Sequence, residues 1–142
     1  KDGEVLLGFK KTGFGAGKYA GIGGKVEIGE TVETAALREV EEEVGVTLHS
    51  EDLVFMGRLT FIFPAKVDWS QEVSVFIAER WLGDPKESRE MKPEWFKPDE
   101  IPYDLMWSDA QYWLPKILCG TKIYLTFSFE ENNESIADFS IG

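Results

Sequence analysis

The sequence has little cysteine, little histidine and little positive charge, and each shortage excludes a kind of protein. Its 142 residues include one cysteine, Cys119, and one histidine, His49. An intramolecular disulfide is therefore excluded, and these two side chains cannot complete a zinc site by themselves. The 15 basic side chains are outnumbered by 26 acidic ones, so the formal net charge is −11. We therefore expect neither a nucleic-acid polymer nor an anionic membrane as the main partner.

Long hydrophobic runs are also missing. No apolar stretch approaches the roughly 20 residues that a bilayer span requires, and no signal peptide opens the chain. A reducing, cytoplasmic location is the expectation that follows. The chain starts at Lys1 without a methionine and soon enters the apolar run Val5-Leu6-Leu7. We therefore expect that an upstream segment has been left out.

The order of predicted elements indicates a single α/β (α+β) domain over residues 1–142. A cap at Thr31 and a stop at Gly45 predict a helix that ends at about Val44. A second helix is predicted from about Ser108 to Leu118, and a glycine-dense loop from Gly13 to Gly24. The predicted strands are Val5 to Lys11, Leu53 to Phe63, Glu72 to Trp81, and a hairpin of Lys122 to Phe129 and Ile136 to Ile141 around Asn132-Asn133, whereas Gly83 to Pro98 is predicted to be irregular. This mixture predicts a mixed sheet flanked by helices on more than one side.

The first predicted helix crowds four carboxylates into five residues, within Arg38-Glu39-Val40-Glu41-Glu42-Glu43-Val44-Gly45. Like charges one turn apart destabilise a helix. On a helical wheel that starts at Val32, Glu41 faces solvent, whereas Glu39 (~340°) and Glu43 (~20°) lie on the rim of the apolar arc and Glu42 borders them. An unpaired charge on that rim is costly, and a divalent cation would offset the cost. A solvated acidic helix face explains the spacing equally well.

The glycine-dense loop matches neither familiar nucleotide-binding fingerprint. Gly24-Lys25 is followed by Val26 where a Walker motif requires Ser or Thr, and no register of the loop gives G-x-G-x-x-G. Gly21, Gly23 and Gly24 would let backbone groups approach a ligand or metal closely, although a plain tight turn is the alternative.

Loop and helix together carry a longer pattern. The chain matches every fixed position of the pattern G-x5-E-x7-R-E-U-x-E-E-x-G-U, where U is aliphatic. Five residues separate Gly24 from Glu30, and seven separate Glu30 from the segment Arg38-Glu39-Val40-Glu41-Glu42-Glu43-Val44-Gly45-Val46. Over residues 24–46 the chain therefore resembles the Nudix hydrolases. The resemblance implies an α/β/α sandwich around a mixed sheet, and metal-dependent hydrolysis of a nucleoside diphosphate linked to another group.

The resemblance also implies roles for these carboxylates. It assigns Mg2+, or alternatively Mn2+, to Glu39, Glu42, Glu43 and the backbone carbonyl of Gly23, with help from Glu90. Arg38 and Glu30 would orient the ligands. Such oxygen ligands suit Mg2+, which also binds waters and substrate phosphates. We expect Glu43 to be the general base, with Glu42 or a glutamate outside the motif as alternatives.

Beyond the motif, the chain resembles one branch of this family, the animal-type MutT homologues that hydrolyse oxidised purine nucleoside triphosphates. The similar segments are residues 5–11, 13–19, 21–26, 90–96, 101–102, 106–109 and 112–113. The branch cuts 8-oxo-dGTP to the monophosphate and pyrophosphate, which sanitises the nucleotide pool, and we expect a monomer that binds a small-molecule nucleotide. Trp107 would stack on the base and Asp109 would hydrogen-bond to it. The predicted substrate-binding residues are Lys10, Phe14, Ile22, Gly23, Gly24, Lys25, Phe61, Phe63, Trp107 and Asp109.

Two positions depart from the pattern of that branch. Ala20 stands where the branch has an asparagine, and Ala110 where it has a second aspartate. Alanine cannot make their hydrogen bonds to the base, so base specificity is expected to widen or change. The alternative substrates are ADP-ribose, dinucleoside polyphosphates, capped RNA or another nucleoside triphosphate. A non-catalytic nucleotide-sensing module is a further alternative, which the complete set of motif glutamates argues against.

Overall fold

The computed structural model describes residues 3–23, 26–133 and 135–141. Gly24 and Lys25, two of the predicted substrate-binding residues, lie outside this range. The chain divides into two compact units. Unit 1 comprises Lys1–Val54 and Ala78–Met106, and unit 2 comprises Phe55–Ile77 and Trp107–Gly142.

Unit 1 contains a three-stranded antiparallel sheet and one helix. The central strand β1 (Val5–Lys10) pairs with β2 (Tyr19–Ala20) on one side and with the strand Met91–Phe96 on the other. Gly8 is paired with Pro93, but the side chain of Met91 lies against it, and a Cβ at Gly8 would lie 2.1 Å from the sulfur of Met91. Glycine is therefore needed at this position, because it leaves room for Met91, which packs with Val44 and Val46 in the core of the unit.

Helix α1 (Val32–Val44) forms where the capping signals predict it. The hydroxyl oxygen of Thr31 accepts a hydrogen bond from the backbone N–H of Thr34 at 3.1 Å. Gly45 ends the helix in the left-handed conformation, with φ of 72°, and its N–H donates to the carbonyl of Glu41. Glycine adopts this conformation without steric cost, so the chain leaves the helix where the sequence predicts.

Unit 2 is built on a four-stranded mixed sheet. The strands are β3 (Leu53–Ile62), β4 (Gln71–Ala78), β6 (Ile123–Phe129) and β7 (Ile136–Ile141), in the order β4-β3-β6-β7. β3 and β6 run parallel, whereas β6 and β7 form the predicted antiparallel hairpin. Helix α2 (Ala110–Leu118) supplies Ile117 to a core of buried aromatic and aliphatic side chains from β3 and β6.

The predicted fold class is confirmed, and two details of the prediction are wrong. Residues 83–98 are not irregular throughout, because Met91–Phe96 form strand β5. Pro93 lies in this strand and argued against it, but β5 is at the edge of its sheet, where proline is tolerated. The strands also form two sheets, whereas we expected one. Within the described part of the chain, no helix is both long and apolar enough to cross a membrane.

Candidate functional site

The glutamates of helix α1 differ in their exposure to solvent. Glu43 is buried, with an exposed fraction of 3%. The side chain of Glu39 is 15% exposed and that of Glu42 is 59% exposed. The helical wheel is therefore confirmed for Glu43 and Glu39, but it placed Glu42 too close to the core. It also placed Val32 in the buried arc, whereas this first-turn residue is exposed.

The guanidinium of Arg38 connects the carboxylates around it. It binds both oxygens of Glu30, with Nε donating to Oε2 at 2.7 Å and Nη2 donating to Oε1 at 2.9 Å. Nη1 donates to Glu39 at 2.8 Å and to Glu42 at 3.1 Å. The hydrogen bonds from Arg38 lower the pKa of Glu30 to about 2. Arg38 therefore holds two of the predicted metal ligands, and Glu30 fixes the orientation of Arg38.

Glu43 lies in a different environment from its neighbours. Burial raises the pKa of Glu43 to about 7, and this pKa reflects both Lys10, whose charge lowers it, and Glu39, which raises it. The backbone N–H of Gly23 donates a hydrogen bond to the Glu43 carboxylate. The second oxygen, Oε2, is buried and has no hydrogen-bond partner in the structure as described. A buried acceptor in this condition is costly and indicates a position for a ligand.

The donor chemistry of this region fits a hard divalent cation. Glu39, Glu42 and Glu43 offer carboxylate oxygens, which are the ligands that such a cation prefers. Among the residues that the structure describes, no three His, Cys, Asp or Glu side chains are gathered closely enough to hold a metal as they stand. Nη1 of Arg38 instead holds both Glu39 and Glu42 by hydrogen bonds. A cation would therefore compete with Arg38 for these two carboxylates.

The other predicted residues of unit 1 lie on or beside β1, β5 and the glycine-dense loop. Lys10 ends β1. Glu90 immediately precedes β5, and its carbonyl accepts a hydrogen bond from the N–H of Lys11 at 2.8 Å. Ile22 packs against the core of this unit, and Phe14 is exposed on the glycine-dense loop.

The predicted base-binding aromatics of unit 2 form one cluster. Phe63 is stacked on Phe129 with ring centroids 4.4 Å apart, and Trp107 meets the edge of both rings at 6.0 Å. Phe61 is half-buried and stacks on Phe127 at 6.0 Å. Phe63 is only 2% exposed and belongs to the core. Trp107 and Phe61 therefore retain surface for a ligand, whereas Phe63 retains almost none.

Asp109 has a partner that the sequence reasoning missed. Its carboxylate accepts a hydrogen bond from the indole Nε1 of Trp113 at 2.6 Å. Asp109 is buried, and burial raises its pKa in spite of this hydrogen bond. The signal that would have revealed the pair is their spacing of one helical turn at the start of α2.

Trp69 and Phe129 were missed as well. Trp69 contacts Phe63 edge-to-face at 5.7 Å, and Phe129 covers a face of the same ring. Every second residue of β6 is buried, and Phe129 is the last of these residues. This alternation could have identified Phe129 as inward-facing. Trp69 lies in a loop without periodicity, so no pattern in the sequence connected it with the cluster.

A glycine-rich loop followed by a helix that carries arginine and clustered glutamates defines a class of metal-dependent pyrophosphate-cleaving proteins. The family model for the NUDIX domain matches residues 1–117 of the chain, and the protein belongs to this family. Over 128 residues it is 44% identical to the oxidized purine nucleoside triphosphate hydrolase of Danio rerio, covering 90% of this chain and 80% of that protein. Over 138 residues it is 41% identical to the protein of the same name from Mus musculus, covering 97% of this chain and 86% of the relative.

Solved structures agree with the assignment of the fold. The MutT protein from Bacillus halodurans superposes with a TM-score of 0.80 at 26% identity, covering 98% of this chain and 90% of that chain. A MutT NUDIX hydrolase from Burkholderia pseudomallei gives a TM-score of 0.68 at 28% identity, covering 85% and 89% respectively. The family resemblance seen in residues 24–46 thus extends to the architecture of the chain.

Proposed function

We propose that the protein hydrolyses oxidised purine nucleoside triphosphates, such as 8-oxo-dGTP, to the monophosphate and pyrophosphate. The observation that carries this proposal is the identity of 44% and 41% to two oxidized purine nucleoside triphosphate hydrolases, over 90% and 97% of this chain. In the reaction, water adds to a phosphorus and the phosphoanhydride bond beside it breaks. One proton leaves the water, and pyrophosphate is released.

Glu39, Glu42, Glu43 and the carbonyl of Gly23 would hold the metal, and Glu90 would assist. A bound Mg2+ or Mn2+ would offset the phosphate charge and make water more acidic. Mg2+ is our choice because carboxylate oxygens and phosphates are the ligands that it prefers. A cation is also needed on electrostatic grounds, since a chain with a net charge of −11 repels a polyphosphate.

Glu43 is our choice for the general base. Its Oε2 atom has no hydrogen-bond partner among the described residues, so it is available to take the proton of the attacking water. The hydrogen bonds from Arg38 direct Glu39 and Glu42 to the same side of α1. Lys10, whose charge already acts on Glu43, would attract the phosphates.

Base recognition would depend on the aromatic cluster of unit 2. Trp107 would stack on the purine, Phe61 would line the pocket, and Asp109 would hydrogen-bond to the base edge from its place beside Trp113. Phe14, Ile22, Gly23, Gly24 and Lys25 complete the set of residues proposed to contact substrate. Phe63 would act by supporting this surface, because it is almost completely buried.

The protein is further proposed to act as a monomer in the cytoplasm. Its one cysteine is an exposed free thiol, which is typical of reducing compartments. Light scattering on the purified protein would measure the oligomeric state, and a mass close to 16.1 kDa is expected.

The test of the proposed function is a phosphate-release assay coupled to inorganic pyrophosphatase. The purified protein would be given 8-oxo-dGTP, 2-hydroxy-dATP, dGTP and dATP, and also ADP-ribose and a dinucleoside polyphosphate. Each reaction would be run with Mg2+, with Mn2+ and with EDTA. We expect the highest kcat/KM for an oxidised purine triphosphate and none in EDTA. Turnover of ADP-ribose with no turnover of any triphosphate would overturn the proposal.

A further inference from the structure

The loop between β3 and β4 places a tryptophan against the aromatic cluster, and we propose that Trp69 is a specificity-determining residue that contacts the purine base. The inference rests on the proposed function, because it concerns the base of the same substrate. Trp69 lies between the predicted strands that end at Phe63 and begin at Glu72, in a segment, residues 64–71, that the sequence predicts only as a loop.

The burial of Phe63 supports this assignment. Phe63 is 2% exposed, and the rings of Phe129, Trp69 and Trp107 lie against it at 4.4, 5.7 and 6.0 Å. A base that approached Phe63 would therefore meet the tryptophans that cover it. Trp69 and Trp107 are both half-buried, so each keeps part of its indole surface accessible. A flat aromatic surface that is partly covered by protein suits stacking with a base.

The loop holds Trp69 in a defined position. The backbone N–H of Phe63 donates to the hydroxyl of Ser70 at 3.0 Å, which ties the two ends of the loop together. The N–H of Lys66 donates to the carbonyl of Phe63 at 3.0 Å, and the N–H of Trp69 donates to the carbonyl of Lys66 at 2.9 Å. Consecutive turns therefore fix the backbone on both sides of Trp69, and its indole is arranged before a ligand arrives.

A positive charge also lies beside this indole. The ammonium of Lys66 is 5.0 Å from the centre of the Trp69 ring, within the range of a cation–π interaction. The loop thus presents an aromatic surface next to a hydrogen-bond donor. The oxygen at C8 of an 8-oxopurine accepts hydrogen bonds, so the ammonium of Lys66 is a suitable donor for the edge of a base stacked at this position.

The test compares Trp69→Leu and Trp69→Phe with Trp95→Leu as a control. Trp95 is also half-buried, but it contacts Trp81 in unit 1. Steady-state kinetics with 8-oxo-dGTP and dGTP would be measured beside urea denaturation of each variant. We expect Trp69→Leu to raise KM for 8-oxo-dGTP by about five- to a hundredfold, with kcat within about threefold. Trp69→Phe should recover most of this loss, and Trp95→Leu should leave KM within about twofold of the wild type.

An unchanged KM in a folded Trp69→Leu protein would overturn the inference. If Trp69→Leu does not fold, Trp69→Phe decides, since losing one of the two fused rings should still raise KM measurably. Calorimetric titration of 8-oxo-dGMP without metal separates this inference from the proposed function. If the wild type hydrolyses no triphosphate but binds 8-oxo-dGMP more tightly than Trp69→Leu does, the proposed function is wrong and the role of Trp69 in base binding stands. A wild type that binds no 8-oxo-dGMP would overturn it.

Discussion

Glu43 combines properties that few side chains on a helix share, since it is a buried carboxylate with one oxygen lacking a partner in the described structure. Its position could be predicted from the sequence because the period of the helix places it beside apolar residues. Its contact with Gly23 could not, because that contact depends on how the loop returns to the helix. The same limit applies to Asp109 and Trp113, whose spacing was visible but whose hydrogen bond required the fold.

Glu43→Gln is expected to lower kcat by roughly 10²-fold or more, because the amide neither takes a proton nor offers an ionised oxygen. The fold should persist, since the amide is uncharged and its burial is cheaper than that of a carboxylate. The measurement is kcat beside a thermal melt. Glu41→Gln is the matched control, because Glu41 is on the same helix but exposed, and its kcat should stay within about twofold.

Asp109→Asn tests the effect of burial on the pKa of Asp109. In the folded protein this pKa lies above its ordinary value, so the folded state binds the proton more tightly than the unfolded state. Stability from this group is therefore highest below about pH 4 and falls as pH rises through the raised pKa. Asparagine does not titrate and can still accept the hydrogen bond of Trp113.

As pH rises from about 4 through the raised pKa of Asp109, the free energy of unfolding of Asp109→Asn should therefore increase relative to that of the wild type. Urea denaturation of both proteins at several pH values measures the difference, in which the contributions of other titrating groups cancel. A difference that is constant with pH would contradict the raised pKa.

At the scale of elements, local signals predicted α1 well and β5 poorly. The ends of α1 depend on the side chain of Thr31 and the flexibility of Gly45, and both are local properties. β5 depends on its pairing with β1, which is distant in the chain, while Pro93 within it argues locally against a strand. The separation of the strands into two sheets likewise depends on pairing between strands that are distant in the sequence. Hydrophobic periodicity does not indicate which strands pair.

The parallel pairing of β3 with β6 depends on Gly57. This residue has a φ of 134°, and a Cβ there would lie 1.7 Å from the carbonyl oxygen of Ile123. Gly57→Ala is therefore expected to lower the free energy of unfolding by more than about 2 kcal/mol. Gly21→Ala is the control, since a Cβ at Gly21 meets nothing within 4 Å, and a change of less than about 0.5 kcal/mol is expected. Equal effects in urea denaturation would show that the close approach to Ile123 is unimportant.

For the whole molecule, we expect the selectivity among bases to reflect the two departures from the branch pattern, Ala20 and Ala110. Neither side chain can hydrogen-bond to a base, so stacking, shape and Asp109 should decide selectivity. We expect the ratio of kcat/KM for 8-oxo-dGTP over dGTP to rise in the double variant Ala20→Asn, Ala110→Asp, by a factor that corresponds to about 1–3 kcal/mol.

Ala110 is 2% exposed, so the new aspartate also carries a cost in stability, which a thermal melt would report. The single variant Ala20→Asn serves as the control because it adds no buried charge. If the wild type already discriminates as sharply as the double variant, another residue reads the base.

The network around Arg38 gives the protein an internal counter-ion. Because the guanidinium already pairs with Glu30, Glu39 and Glu42, we expect α1 to fold without a cation. Removal of the cation by a chelator should then abolish activity without unfolding the protein. EDTA is expected to abolish turnover while leaving the far-ultraviolet circular dichroism spectrum unchanged, and added Mg2+ should restore full activity without a refolding phase. The enzyme would thus stay folded whether or not the cation is bound.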